Sequence, residues 1–262
     1  MIPWFESPQL PLGPVTIHMF GVLVATGILV GARLTIRRGR QLGLEPESVS
    51  SMITTTLVCG FLFAHFFDMF AYQTGGPHPT FWQIINPLGG ISSFGGFIGA
   101  VGGLIYWCKR NHKPIMPYAD SLGYGLAAGW LFGRLGCFSA HDHPGFKTTF
   151  FLSVDYKYLG GARHDLGLDE ALWALGMTLL FLWLGRKPRP LGIYVSLLSL
   201  CYGPVRFFLD FLRATDLPGA DPRYFGLTPA QYGAVACFGA GIALSAWTWR
   251  HRKGLHAPAG IV

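Results

Sequence analysis

Two arginines stand where arginine is costly. Arg134 lies in GWLFGRLGCF and Arg206 in CYGPVRFFLDF, both inside long apolar runs. A charge in such a run has to face protein or water. One reading is that each side chain snorkels to a headgroup region. The chemically sharper one is that the two guanidiniums share one phosphate, whose oxygens they match in a bidentate way, and this is the expectation adopted. Tyr202, Arg206, Asp210 and Arg213 recur at spacings of four, four and three, which sets them along one helical face. The plainer role for that stripe is an ion pair between Arg206 and Asp210 that joins two helices.

A second concentration of chemistry follows Arg134. GRLGCFSAHDHPG and GGARHDLGLDEAL hold His141, Asp142, His143, His164, Asp165, Asp169 and Glu170, a density suited to general acid or base work, or else to a solvated loop. A zinc site drawn from His141, Asp142, His143 and His164 has no recognised ligand spacing, so no metal and no cofactor is expected. His65 and Asp68, three apart, are read as a buried hydrogen-bonded pair in preference to a metal pair. The five cysteines are odd in number, lie in or beside apolar runs and show no paired spacing, so neither disulfides nor a zinc framework is indicated.

The elements that must position these residues are membrane helices. Hydrophobic residues make up 51% of the 262 and charged ones only 13%, about half the charged share of a soluble domain. The net charge of +7 is carried in short basic patches between apolar runs, so it does not imply nucleic acid. Stretches near the ~20 residues that cross a bilayer run roughly 16–34, 52–72, 90–107, 119–138, 170–184, 191–211 and 228–249. The expected fold is an all-α integral membrane protein of about seven transmembrane helices, a single polytopic domain over 1–262. An outer-face loop, 139–169, is expected between helices four and five. Gly95, Gly96, Gly99, Gly102 and Gly103 offer a close-packing face in the third span.

Arg33, Arg37, Arg38, Arg40, Lys109, Arg110, Lys113, Arg186, Lys187, Arg189, Arg250, Arg252 and Lys253 fall in one alternating set of connections. By the positive-inside rule the N-terminus is outside and the C-terminus cytoplasmic. The first apolar run has no basic n-region and no small-residue cleavage site, so it is expected to stay as a helix and not to be cleaved as a signal peptide. Nothing calls for more than a monomer.

At the charged residues the chain resembles the bacterial prolipoprotein diacylglyceryl transferases, and the likeness runs nearly end to end. LGPVTIH resembles the family's opening, GGISSFGG its SFHGG region, and GRLGCFSAHDHPG its GRxGNFxNGExxG signature. RHDLGLDEAL resembles HPSQLYEAL, and YGPVRFFLDFLRATD resembles YGxxRFxxEFxR. The resemblance implies transfer of diacylglyceryl from phosphatidylglycerol to the lipobox cysteine thiol in the signal peptide of a preprolipoprotein. Glycerol 1-phosphate is released, a thioether remains, and membrane lipid surrounds the site. It also implies that Arg134 and Arg206 bind the phosphate and stabilise its departure. Glu170, Tyr202, Gly145, Asp210 and Arg213 match other retained positions, with Asp210 in place of glutamate. The catalytic set expected is thus Arg134, Arg206, Glu170, His141, His143 and Asp142. Tyr202, Gly145, Asp210, Arg213 and His164 join the two arginines in substrate binding.

The chain also departs from the family pattern. Phe94 stands for the histidine of SFHGG, Phe20 for a tyrosine in the first helix, Cys137 for the signature asparagine, Asp142 for its glutamate, and Asp169 for the tyrosine before Glu170. Phenylalanine accepts no proton, so a base for the acceptor thiol is expected among His141, His143 and Glu170. Two other functions fit parts of the pattern: a phosphatidylglycerol-dependent transferase with a different acceptor, and a lipid-binding homologue without catalysis. A transporter of inverted repeats would show two similar halves, and none is visible.

Overall fold

The computed structural model describes residues 1–13, 15–72, 90, 92–217 and 223–251. The basic-poor connection after Tyr72 and the basic residues Arg252 and Lys253 lie outside the described residues. Seven long helices occur among those described: α1 (Met19–Gln41), α2 (Pro46–Phe67), α3 (Ser93–Arg110), α4 (Ile115–Ala140), α5 (Leu166–Leu184), α6 (Ile193–Leu209) and α7 (Pro229–His251). Each overlaps one expected span. Four are long and apolar enough to cross a membrane, namely Met19–Gln41, Pro46–Phe70, Leu166–Leu184 and Ile193–Leu212. Large apolar side chains such as Leu29, Phe61, Leu179, Trp183, Ile242 and Trp249 face outward from the helices. That is the inverse of a water-soluble surface and what a lipid environment requires.

The expected bounds shift for local reasons. The first span begins as a strand, and its helix runs on to Gln41 through the basic cluster, because arginine is a good helix former. The second span opens at Pro46, whose fixed φ suits the first helical position. The fifth opens at Leu166, since Asp165 caps it by accepting a hydrogen bond from Leu168 N at 3.0 Å.

The chain forms two compact units, Met1–Arg38 with Asp120–Val262, and Gly39–Ala119. In the smaller unit α2 and α3 pack through glycine. A Cβ on Gly95, Gly99 or Gly103 would sit 2.3 to 2.7 Å from side-chain carbons of Phe67, Phe63 or Cys59, so the helix backbones approach closely. Gly102 has nothing within 4 Å and stands off that face, a correction to the expected stripe. His65 is half-buried and its Nδ1 lies 3.3 Å from the carbonyl of Gly90.

In the larger unit Tyr124, Ala127, Met177, Phe181 and Tyr194 form a core between α4, α5 and α6. Beside it Arg38, expected in a basic loop, is instead fully buried against Asp120 at 3.0 Å, with its guanidinium over the Tyr194 ring.

The segment expected as an outer loop is folded. Pro144–Lys147 (β4), Val154–Tyr156 (β5) and Gly161–Asp165 (β6) join Ile2–Pro3 (β1) in a sheet of order β1-β5-β6-β4. β1 and β5 run parallel, and the other pairs are antiparallel. Gln9–Leu12 (β2) and Val15–His18 (β3) form a separate hairpin. The sheet closes the backbone hydrogen bonds that a loop of this length would otherwise leave to water.

Candidate functional site

Three helices bring the charges together. α4 carries Trp130, Arg134 and Cys137 in its last turns, α5 carries Asp169 and Glu170 near its start, and α6 carries Tyr202 and Arg206. The carboxylate of Glu170 is the meeting point and is 1% exposed. Its Oε2 lies 2.9 Å from Arg134 Nε and 3.6 Å from Arg206 NH1, and its Oε1 accepts a hydrogen bond from the Tyr202 hydroxyl at 3.0 Å. The start of α5 suits an anion, because helix N-termini carry partial positive charge.

Arg134 also stacks over the Trp130 ring at 4.8 Å, and that ring meets Tyr202 edge-on. Stacking fixes the guanidinium plane while leaving its edge N–H groups to bind oxygen.

α6 ends in a tight turn, Asp210–Leu212, and Asp210 is fully buried there. Its Oδ1 lies 3.1 Å from Arg206 NH2 and 3.2 Å from Arg213 Nε. Its other oxygen accepts from the Thr228 hydroxyl. Thr228 and Gln231 cap α7 reciprocally, with Thr228 N donating to Gln231 Oε1 at 3.0 Å and Gln231 N to Thr228 Oγ1 at 3.2 Å. The ion pair read from the spacing is therefore present, and Arg206 reaches Glu170 as well. Arg134, Arg206, Glu170, Tyr202, Asp210 and Arg213 form one connected network of alternating charge.

The histidines divide. His141 is buried, ringed by Trp4, Phe5, Phe138 and Tyr156, with Nδ1 3.1 Å from Asp165. Asp165 also accepts from the Tyr156 hydroxyl at 2.6 Å. Burial first, and then the Asp165 carboxylate, push that hydroxyl up, so it stays protonated. His141 thus sits in a packed polar hub. His164 lies 3.4 Å from Asp169 and stacks on Phe150.

His143 differs. It is hydrogen-bonded through Nδ1 to Asp142, and with Asp142 and Cys137 it forms a group whose ligand atoms lie within 4.8 Å of one another. Cys137 Sγ accepts from Arg134 NH1 at 3.8 Å. His141 takes a left-handed φ of 52° just past the end of α4, the usual way a helix is stopped and its chain reversed.

Gly145 serves the frame. It forms a β-bridge with Arg213, and a Cβ there would meet Leu212 O at 2.6 Å and His164 Cβ at 2.8 Å. Its carbonyl accepts from Arg163 NH1, and Arg163, fully buried, donates twice to Asp216 at 3.0 and 2.6 Å. Arg163, Trp130 and Tyr156 join the site region beyond the residues expected from the sequence. Arg163 had a signal, since it stands beside His164 and Asp165 in RHD.

Of the departures, Phe20 lies with its ring against Gly136, and Phe94 packs edge-on to Phe67 at 5.3 Å.

These features define a multi-pass membrane protein with a buried arginine–carboxylate site among its helices. The sequence model of the prolipoprotein diacylglyceryl transferase family matches residues 9–247, and the chain belongs to that family. Relatives include the phosphatidylglycerol–prolipoprotein diacylglyceryl transferases of Bacillus mycoides (strain KBAB4) and Bacillus cereus (strain Q1). Each is 28% identical over 228 residues, covering 82% of this chain and 84% of the relative.

Proposed function

We propose that this protein transfers the diacylglyceryl group of phosphatidylglycerol to the lipobox cysteine thiol of a preprolipoprotein. The observation that carries the reading is the convergence of Arg134 and Arg206 on one carboxylate oxygen, at 2.9 and 3.6 Å. A phosphate diester brings oxygens of the same charge and spacing to the same N–H groups. As the acceptor sulfur bonds to the glyceryl carbon, the carbon–oxygen bond to phosphorus breaks and a second negative charge grows on the departing glycerol 1-phosphate. Two guanidiniums already aimed at that place stabilise the growing charge. Asp210 holds Arg206 there, Glu170 keeps the two guanidiniums assembled until the phosphate displaces its carboxylate, Tyr202 orients Glu170, and Gly145, Arg213 and His164 fix the outer wall. The acceptor thiol is placed, and loses its proton, at the corner formed by Asp142 and His143, beside Arg134, with His141 next to it along the chain.

The protein is further read as a monomer with seven membrane-spanning helices, α1 to α7, in a bacterial inner membrane, N-terminus outside and C-terminus cytoplasmic. The basic residues of the alternate connections support that orientation.

The test incubates purified protein with labelled phosphatidylglycerol and a lipobox peptide, with Arg134→Ala as control. Labelled peptide with equimolar glycerol phosphate, both lost in the control, is the expected result. Phe94 and Phe20, in place of polar family residues, favour one second reading, a different acceptor. Glycerol phosphate release without labelled peptide would select it, and neither product with lipid still bound would overturn both.

A further inference from the structure

Cys137 lies near the end of an apolar run, and Asp142 and His143 follow it closely. Each of these three residues offers a metal-ligating atom, and the structure gathers those atoms within 4.8 Å of one another. Donors bound to one tetrahedral zinc ion stand about 3.3–3.7 Å apart, from bond lengths of ~2.0–2.3 Å, so small side-chain rotations close the set. Two local features assemble it. Cys137 is in the last turn of α4, and the left-handed His141 turns the chain back so that Asp142 and His143 come alongside it.

The donor chemistry is selective. Thiolate with imidazole suits zinc, and three protein ligands with a fourth position open mark zinc that acts on a substrate. The group is accessible, with the Asp142 side chain 41% exposed and that of His143 22%.

We propose that Cys137, Asp142 and His143 bind a zinc ion whose fourth ligand is the acceptor thiol. This rests on the transferase reading and supplies a means of deprotonating the acceptor thiol. A zinc-bound thiol loses its proton outright. Charge also favours the arrangement. A thiolate, a carboxylate and a neutral imidazole make the loaded site neutral, and the acceptor thiolate then adds one negative charge next to Arg134, whose NH1 is 3.8 Å from Cys137 Sγ. The step balances. The thiol gives its proton to solvent, the zinc-bound sulfur bonds to the glyceryl carbon, and the carbon–oxygen electron pair leaves with glycerol phosphate. Zinc keeps its oxidation state, and Cys137 forms no covalent adduct.

The experiment uses the full chain in detergent, stripped with chelator and titrated with cobalt(II) as an optical stand-in for zinc. One equivalent is expected, with a near-ultraviolet thiolate-to-cobalt band. Adding the lipobox peptide should intensify the band, and its Cys→Ser version should not. Cys137→Asn, a small polar replacement at a half-buried position whose folding is checked by an unchanged apparent Tm without metal, should lose the band and weaken affinity by more than roughly 100-fold. Loss of a mere hydrogen-bonding partner of a ligand already costs ~10–100-fold. Cobalt bound without a thiolate band, or a band unchanged by peptide, would overturn the proposal. So would full transfer by stripped enzyme in excess chelator, which leaves the transferase reading intact. A peptide-responsive band with no transfer in any metal state would sink the transferase reading and keep the site.

Discussion

Glu170→Gln gives the sharpest test of the arginine site, because it removes one charge and almost no volume. Glu170 is buried between two guanidiniums at 2.9 and 3.6 Å. Removing one partner of a buried ion pair costs about 3–5 kcal/mol, since the remaining charge is stranded. Two contacts survive: Asp210 still faces Arg206 at 3.1 Å, and the glutamine oxygen keeps the hydrogen bond from Tyr202. The lower figure, about 3 kcal/mol, is therefore appropriate. For a chain of this size 1 kcal/mol moves the midpoint by ~2–4 °C, so the apparent Tm in neutral micelles should fall by ~6–12 °C. Phosphatidylglycerol should then return part of the loss. Its phosphate supplies the missing charge, and in the variant it displaces no carboxylate. Each tenfold gain in affinity over wild type is worth about 1.4 kcal/mol at saturating lipid, or roughly 3–6 °C. The assay is a thermal shift of both proteins with phosphatidylglycerol and with phosphatidylcholine. An equal deficit in the two lipids would refute the idea that Glu170 and the phosphate compete for the same arginines.

Asp120→Ala should destabilise by ~3–5 kcal/mol by stranding the buried Arg38, and adding Arg38→Met should recover much of that Tm. A double variant no better than the single would contradict the account. Asp165→Ala removes the cap of α5 and orphans the Tyr156 hydroxyl, about 2–4 kcal/mol together. Faster hydrogen exchange should appear at Leu168 N, and adding Tyr156→Phe should restore part of the stability. The hydrogen bond from Arg163 holds Asp216 below the usual carboxylate range. Its stabilisation is full above the ordinary aspartate value of about 3.9 and is lost as pH falls through the depressed one. Asp216→Asn should therefore lower the Tm at neutral pH and be silent in strong acid, and an equal deficit at both would exclude the pairing. Gly145→Ala places a Cβ 2.6 Å from Leu212 O, so a stability loss of at least ~1–3 kcal/mol is expected. An unchanged Tm would mean that this close approach does not constrain the fold.

The helices were legible because a charge-poor run of ~20 residues has one interpretation. The arginines at 134 and 206 were legible for the same reason, since an unexplained charge in lipid needs a partner, and Glu170 and Asp210 are those partners. The region 139–169 was not. Its strands have three to five residues and no sustained alternation, and one sheet partner lies at Ile2, far beyond any window of periodicity. Arg38 was misplaced because counting basic residues by connection ignores which one turns inward to meet Asp120. His141 stands out in the sequence by type alone, and its ring of aromatic neighbours and its contact with Asp165 come from segments that no spacing links to it.

The parallel pairing of Ile2 with Val154 also bears on how the chain is made. The first strand leaves the ribosome well before its partner, which follows some 150 residues later, after α1 to α4. Until then Ile2 and Pro3 have an open edge, the sort of surface that pairs wrongly when crowded. Proline at the second of these positions removes one donor from that edge. Completion of the sheet is thus a late event of biosynthesis. β6 runs directly into Asp165 and the start of α5, so the ordering of Glu170 is timed to the same event. A nascent chain halted before Val154 would have Arg134 in place without Glu170, its ion-pair partner at 2.9 Å.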